Sequence, residues 1–135
     1  MESLEDQLIR HEGYRQFPYK CSAGKLTIGV GRNIEDRGIT ENEAMYLLHN
    51  DLVICKQELN LLYPIVNRLN DARHNVLINM CFNIGIARLG KFKKMWAALE
   101  VGNYSEASRQ MLDSKWSGQV GKRANELAII MKKGE

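Results

Sequence analysis

Residues Ile9 to Gly31 read IRHEGYRQFPYKCSAGKLTIGVG, and the remainder of the chain is interpreted as a scaffold for this segment. A strand-like run from Phe17 to Lys20 is followed by Cys21 and by a short turn that contains a glycine. A second strand is predicted from Lys25 to Ile28. Two short strands joined by a tight glycine-containing turn are typical of a β-hairpin. Such a hairpin is expected to bring its residues back toward the end of the helix that precedes it.

Three side chains of this stretch have chemistry that fits one site. Glu12 ends the predicted first helix, Cys21 lies beside the hairpin turn, and Thr27 lies on the second strand. A carboxylic acid that faces a thiol and a hydroxyl suits acid-assisted hydrolysis. The sequence therefore predicts a hydrolytic site built on the hairpin.

Length and composition indicate a folded protein of modest size. The 135 residues fit one domain, or two small lobes that share a helix, and we expect a monomer. The charged share of 26% and the hydrophobic share of 44% argue against disorder. No apolar run approaches a membrane span, so no stable membrane insertion is expected. The acidic start lacks a basic and an apolar segment, which predicts no signal peptide and a first location in the cytoplasm.

The cysteines and histidines predict no metal site. Cys21, Cys55 and Cys81 are odd in number and widely spaced, so they form neither a disulfide framework nor a ligand cluster. The three histidines share no ligand spacing. We expect no metal and no organic cofactor.

The net charge of +3 is unevenly distributed along the chain. Residues 1–70 carry 8 basic and 10 acidic side chains, whereas residues 71–135 carry 11 and 6. A basic second half favours an anionic polymer such as cell wall or nucleic acid, or is simply a solvated surface. No basic stripe interleaved with aromatics is present, so we predict no nucleic-acid partner.

Local signals place the other elements of the first part of the chain. Ser3 is a helix-capping residue and Gly13 ends the first helix, whose predicted buried side is marked by three apolar residues, Leu4, Leu8 and Ile9. A third short strand is predicted at residues 31–34, and residues 35–38 read as a polar turn.

The clearest helix start is the capping box at residues 40–43. Apolar residues then recur at helical spacing, which predicts a long helix from Glu41 to Leu62. Pro64 either stops this helix or opens a short one. Further helices are predicted from Asn70 or Asp71 to about Gly85, in short pieces after it, and from about residue 121 onward.

The spacing of Glu12, eight residues, Cys21, five residues, Thr27, followed by Ile-Gly-Val-Gly, resembles the phage-type lysozymes. These are the bacteriophage endolysins of glycoside hydrolase family 24. The segment at residues 79–85, Asn-Met-Cys-Phe-Asn-Ile-Gly, is similar to the central-helix motif of that family. Trp-Ser-Gly-Gln at residues 116–119 and Lys-Arg-Ala at residues 122–124 are similar to its C-terminal motif.

The resemblance implies an α+β, lysozyme-like fold with a cleft between two lobes. A single lysozyme-like domain is expected over residues 1–135. It comprises a sheet lobe at 12–40, a connecting helix at 41–62 and a helical lobe at 63–135, with residues 1–11 packing on the helical lobe. Gly29 and Gly31 are interpreted as a strand bend at the cleft floor, because a phosphate loop needs further residues that are absent.

The resemblance also implies the roles of individual residues. Glu12, Cys21 and Thr27 take the catalytic positions, and Arg123 takes the position of an arginine that pairs with the acid. Cys21 either polarises water or attacks as a thiolate, and we favour the first. Tyr19 either packs in the hairpin or supports the acid at the edge of the site. Substrate-binding roles are expected for six further residues: Asn33, Phe82, Asn83, Met95, Gln110 and Gln119.

The implied activity is hydrolysis of the β-1,4 bond between N-acetylmuramic acid and N-acetylglucosamine in peptidoglycan, for host cell lysis. The expected partner is the glycan strand, reached from the host cytoplasm through a membrane hole made by a holin. The alternatives are a lytic transglycosylase and a non-catalytic module that binds the cell wall.

Overall fold

The computed structural model describes residues 1–135, and it has an α+β fold with a three-stranded antiparallel sheet. Contacts divide the chain into a first unit, Met1–Leu47, and a second unit, Leu48–Glu135. The helices and strands, in chain order, are α1 (Leu4–Glu12), β1 (Arg15–Lys20), β2 (Leu26–Gly29), β3 (Arg32–Asn33), α2 (Ile34–Arg37), α3 (Glu41–Leu62), a 3-10 helix (Pro64–Arg68), α4 (Asp71–Ile84), α5 (Ile86–Leu89), α6 (Lys93–Glu100), α7 (Tyr104–Leu112), α8 (Lys115–Val120) and α9 (Lys122–Lys133).

The first unit is built on the predicted hairpin. β1 pairs antiparallel with β2, with Tyr19 opposite Thr27, and β2 pairs with β3, with Thr27 opposite Asn33. β1 begins two residues before its predicted start. Residues 34–37, mostly within the predicted polar turn, form the short helix α2. The reason is a helix cap: the Asn33 side chain accepts a hydrogen bond from the backbone amide of Asp36, at 3.0 Å.

Both ends of α1 agree with the sequence, but its predicted buried side is exposed. The Ser3 hydroxyl accepts from the amide of Asp6 at 3.0 Å, and the Gly13 amide donates to the Ile9 carbonyl at 2.7 Å. No residue of α1 is buried. The apolar residues of that side are 44–65% exposed: Leu4, Leu8 and Ile9. Helical periodicity identifies an apolar face, but it does not require that another element cover it.

The long helix α3 has the predicted bounds. The Thr40 hydroxyl accepts from the amide of Glu43, and the Glu43 carboxylate accepts from the amide of Thr40, at 3.1 and 2.8 Å. This reciprocal pair is a complete capping box. At the other end, Pro64 opens the 3-10 helix, which was one of the two outcomes predicted for it.

The second unit contains all the buried apolar side chains of the protein. In its core the ring of Tyr63 stacks on Trp96 with centroids 4.1 Å apart, and the Trp96 indole donates to the Leu89 carbonyl at 3.0 Å. Small residues let α7 and α9 approach closely, and the buried Ser108 hydroxyl bonds the Ala128 carbonyl at 2.7 Å. The first unit has a single buried residue, Thr27.

The α+β fold class predicted from the sequence is confirmed. The assignment of the chain to a single lysozyme-like domain stays a prediction. None of the helices combines the length and the apolar character that crossing a membrane requires.

Candidate active site

Glu12 is the last residue of α1, and its carboxylate lies against the turn that joins β2 to β3. A Cβ atom placed on Gly31 would stand 3.0 Å from Glu12 Oε2 and 3.1 Å from its Cδ. Gly31 has φ +65°, a left-handed conformation that favours glycine. The acid is exposed. The helix end and this turn therefore present an accessible carboxyl group at one end of β2.

Cys21 lies at the other end of β2, in the turn of the hairpin. Its amide donates to the Lys25 carbonyl at 2.9 Å, and the Gly24 amide donates back to the Cys21 carbonyl at 2.8 Å. The pKa of the Cys21 thiol is lowered, chiefly because the amides of Lys25 and Ala23 bond the thiolate and secondly because Thr27 does. The turn therefore favours an anion at this position.

Thr27 is a buried residue of β2, two positions after the last residue of the hairpin turn. Only 3% of the residue is exposed, and its hydroxyl donates to the Lys25 carbonyl at 2.8 Å. The Thr27 hydroxyl is also one of the groups that lower the pKa of Cys21. Thr27 thus joins the Cys21 turn to the sheet.

The acid and the thiol lie on the two turns that bound β2, and no hydrogen bond joins them. β2 has four residues, so at a rise of about 3.3 Å per residue its first and last Cα atoms are roughly 10 Å apart. The structure therefore brings Thr27 and Cys21 together and places Glu12 at the opposite end of the same strand.

Two other predicted site residues of the first unit have local partners. Tyr19 carries the Arg15 guanidinium over its ring, 4.4 Å from the centroid, and its hydroxyl makes no hydrogen bond in the first unit. Asn33 caps α2, and its amide also donates to the Asp36 carboxylate at 3.0 Å. Both polar ends of Asn33 are therefore engaged. The roles predicted for these two residues stay predictions.

The face of β2 opposite to the Thr27 side chain lines a groove of about 520 Å³. Ile28 belongs to this face because successive strand residues alternate between the two sides of a sheet. At the groove Arg32 forms a two-pronged ion pair with Glu43, at 2.6 and 3.0 Å. This pair lowers the pKa of Glu43 to about 2, with the Thr40 amide as the second cause. The remaining apolar lining comprises Val30, Ile34, Ile39, Tyr46 and Leu47.

In the second unit, one face of α4 carries two asparagines that each bind a residue from the C-terminal motif. Asn79 Oδ1 accepts from Arg123 Nε and Nη2 at 3.0 and 2.7 Å. Asn83 Oδ1 accepts from the Trp116 indole at 2.7 Å. Because residues four apart share a helix face, the two asparagines form a polar strip on α4.

Two further predicted residues lie near this strip. Phe82 is 45% exposed and so presents an aromatic surface to solvent. Gln119 accepts a hydrogen bond from Arg88 at 3.2 Å. The structure thus connects Gln119 to α5, and the substrate-binding roles stay predictions.

Met95 and Gln110 line a separate groove of about 340 Å³. Met95 is fully buried beneath it, and the Gln110 amide donates to Glu106 at 2.8 Å. The charged residues that line this groove are three lysines and one aspartate: Lys91, Lys93, Lys94 and Asp113.

Three relationships were missed by the sequence analysis. They are the contact of Gly31 with Glu12, the hydrogen bonds that Arg123 donates to Asn79, and the hydrogen bond that Trp116 donates to Asn83. The four-residue spacing of the two asparagines in the 79–85 segment is a signal that an aligned polar strip was present. No sequence pattern identifies the contact at Gly31.

Comparison with known proteins gives one family. The Phage lysozyme family model matches residues 9–131. The chain is 27% identical to "Probable T4-type lysozyme 2" of Dictyostelium discoideum, over 99% of this chain and 96% of the relative. It is 30% identical to the "SAR-endolysin" of Escherichia phage Mu, over 95% of this chain and 78% of the relative. The "Endolysin" of Acyrthosiphon pisum secondary endosymbiont phage 1 is 32% identical, over 80% and 73%.

The match covers both the hairpin with its three candidate residues and the asparagine strip with its partners. The chain therefore belongs to the phage lysozyme family.

Proposed function

We propose that this protein is a muramidase that hydrolyses the β-1,4 bond between N-acetylmuramic acid and N-acetylglucosamine in peptidoglycan, for host cell lysis. The observation that carries the proposal is the arrangement around β2 in a member of the phage lysozyme family. An exposed acid lies at one end of the strand, and a thiol of lowered pKa, backed by a buried hydroxyl, lies at the other. The names of the relatives, which include lysozymes and endolysins, support the same activity.

In the proposed reaction Glu12 is the general acid. It gives its proton to the glycosidic oxygen as the bond from that oxygen to the anomeric carbon breaks. Glu12 is exposed in the free protein, so the bound glycan has to exclude water from it. Its position on the Gly31 turn leaves the carboxyl accessible to a sugar chain.

Cys21 and Thr27 act on the attacking water. The thiolate of Cys21 accepts a proton from the water while the water oxygen bonds to the anomeric carbon. Thr27 is almost fully buried, so we propose that its hydroxyl holds Cys21 in place and orients the water through it. The lowered pKa of Cys21 supports the anionic role, which a carboxylate fills in many glycosidases.

We further propose that the reaction inverts the anomeric carbon. Inverting enzymes keep their acid and base far enough apart to hold a water between them, whereas retaining enzymes hold the two groups closer. The location of Glu12 and Cys21 at opposite ends of β2 supports the wider arrangement.

The second unit is proposed to bind the glycan. Phe82 offers a flat apolar surface that suits a sugar ring, and Asn83 and Gln119 offer polar groups nearby. We propose glycan contacts also for Asn33 and Gln110, support of the acid by Tyr19, and pairing of Arg123 with Glu12. For the fully buried Met95 we propose that it shapes the floor of the groove in which Gln110 binds glycan. The two-pronged bond to Asn79 supports a fixed guanidinium at Arg123.

The test compares Glu12→Gln with Glu5→Gln, an amide substitution of another acid on α1. Purified peptidoglycan should lose turbidity with the wild type and with Glu5→Gln, and should stay turbid with Glu12→Gln. Hydrolysis leaves reducing sugar ends, and proton NMR of fresh products shows whether the anomer is inverted. Anhydro-sugar ends would instead indicate a lytic transglycosylase, and binding without cleavage would indicate a wall-binding module.

We also propose that the protein remains in the host cytoplasm until lysis and reaches the wall through a membrane lesion made by a holin. We propose that it acts as a monomer. The relative named "Endolysin" supports a role in lysis from inside the host. Bacteria that express the protein should stay intact until chloroform opens their membrane, and should then lyse. Lysis without membrane opening would overturn the holin route, and sedimentation of a dimer would overturn the monomer.

A further inference from the structure

We propose that Gly31 is a positioning residue for the catalytic acid: its bare Cα is the surface on which the Glu12 carboxyl group is seated. The inference rests on the proposed function, because it concerns the acid of that reaction. This positioning role of Gly31 is separate from its role in bending the strand. The evidence is a contact, a comparison with a second glycine, and the lack of any other local support for the acid.

The contact extends along the Glu12 side chain. A Cβ atom on Gly31 would lie 3.0 Å from Oε2, 3.1 Å from Cδ and 3.2 Å from Cγ of Glu12. Optimal separations between non-bonded carbon atoms are about 3.5 to 4.0 Å. Any side chain at Gly31 therefore pushes against three successive atoms of the acid at once. The carboxyl group keeps its present position only if this Cβ is absent.

Gly29 separates the effect of the left-handed backbone from the effect of the contact with Glu12. Its φ is +69°, against +65° at Gly31, so both positions favour glycine for the same backbone reason. A Cβ on Gly29, however, would meet nothing within 4 Å. The two glycines thus share the backbone requirement, and only Gly31 also touches the acid.

Within the first unit nothing else fixes the Glu12 carboxyl group. No side-chain hydrogen bond and no ion pair from residues 1–47 reaches it. The exposed side chain has three rotatable bonds, so a methyl group at Gly31 moves the carboxyl group instead of unfolding the protein. The carboxyl group then has to shift by a few tenths of an ångström. General acid catalysis is sensitive to such a shift, because a misplacement of about 1 Å costs on the order of 100-fold in rate.

The experiment compares Gly31→Ala with the matched control Gly29→Ala. Both variants should lower the urea midpoint of unfolding by similar amounts, because both strain the same kind of backbone. On solubilised peptidoglycan, Gly31→Ala should lose about 3-fold to 10-fold in kcat with KM unchanged. Gly29→Ala should keep the wild-type kcat. Equal kcat losses in the two variants would overturn the proposal.

A readout without catalysis separates this inference from the proposed function. NMR couplings of labelled Glu12 should show one dominant rotamer in the wild type and in Gly29→Ala, and averaged rotamers in Gly31→Ala. If the wild type is inactive yet shows this pattern, the proposed function fails and the seat for Glu12 stands. If Glu12 is already averaged in the wild type, the seat itself is overturned.

Discussion

The indole Nε1 of Trp116 donates a 2.7 Å hydrogen bond to Asn83 Oδ1 and thereby fixes the orientation of that amide. An indole nitrogen is a donor only, so the carbonyl end of Asn83 has to face Trp116. The amide hydrogens of Asn83 consequently point away from the indole and are free to donate elsewhere. A buried tryptophan thus determines which polar atoms this part of α4 offers.

Replacement of Asn83 by alanine should destabilise the protein. The Trp116 residue is 2% exposed, and an indole N–H left without an acceptor costs about 1 to 3 kcal/mol. Asn83→Asp keeps an acceptor and should cost less. Urea unfolding followed by tryptophan fluorescence measures both. Asn75→Ala, on the same helix, removes an exposed asparagine whose side chain makes no hydrogen bond and should leave the free energy of unfolding unchanged; a similar loss there would contradict the assignment.

Iodoacetamide near pH 7 should label Cys21 well before Cys55 and Cys81. The thiolate is the reactive form, and the pKa of Cys21 is lowered, whereas burial and the Cys55 contact raise the pKa of Cys81 to about 12. Thr27→Val should slow the labelling of Cys21, because a hydroxyl that favours the thiolate is lost. Mass spectrometry of digested protein at timed intervals gives the three rates. Labelling of all three cysteines at one rate would show that the hairpin turn does not activate Cys21.

Loss of activity should follow the labelling of Cys21. The modified sulfur can no longer accept a proton from water, whereas Cys21→Asp keeps an anion at this position and should retain turnover. Reducing-end assays on peptidoglycan measure both effects. Undiminished activity of Cys21→Ala would remove this residue from the proposed mechanism.

The Arg32–Glu43 ion pair should make stability depend on pH in the acid range. Because the folded pKa of Glu43 is about 2 and the ordinary value is 4.5, the carboxylate stabilises the folded state above pH 4.5. That contribution is lost as the pH falls from 4.5 toward 2. Glu43→Gln keeps an acceptor for the capping box and should flatten this part of the stability curve. Glu41→Gln removes an acid of the same helical turn that has no ion pair, so it should leave the curve unchanged.

Arg73 should be required for the docking of the C-terminal end of α9. Its Nε and Nη2 donate to the carbonyls of Met131 and Lys132 at 2.7 and 3.0 Å, and its guanidinium lies 3.6 Å from the ring centroid of Tyr104. Lysine supplies neither the planar fork nor the stacking surface. Arg73→Lys should therefore cost about 1 to 3 kcal/mol and speed amide hydrogen exchange at residues 131–133.

Arg68→Lys is the control for this prediction. The Arg68 guanidinium pairs with Glu100 on the surface, where both side chains are more than half exposed. Exposed pairs of this kind contribute about 0 to 1 kcal/mol. Equal losses in the free energy of unfolding of the two arginine variants would show that the contacts of Arg73 with α9 stabilise the protein no more than an exposed ion pair does.

Elements with local signals could be predicted from the amino-acid sequence. The bounds of α3 follow from the Thr40 capping box and the apolar repeat up to Leu62, and the ends of α1 follow from Ser3 and Gly13. The hairpin and the spacing of its three candidate residues were also readable. Caps, turns and periodicity act over a few residues, so a linear pattern contains all of their causes.

Contacts between distant parts of the chain could be identified only in the folded protein. The tertiary structure left the apolar side of α1 exposed, and it brought the Glu12 carboxyl group against Gly31 and the Arg123 guanidinium against Asn79. A glycine has no side chain to signal a contact, and the residues of that last pair lie 44 positions apart along the chain. Contacts between distant residues depend on how whole elements pack, and that information is present in the folded chain but in no short segment of it.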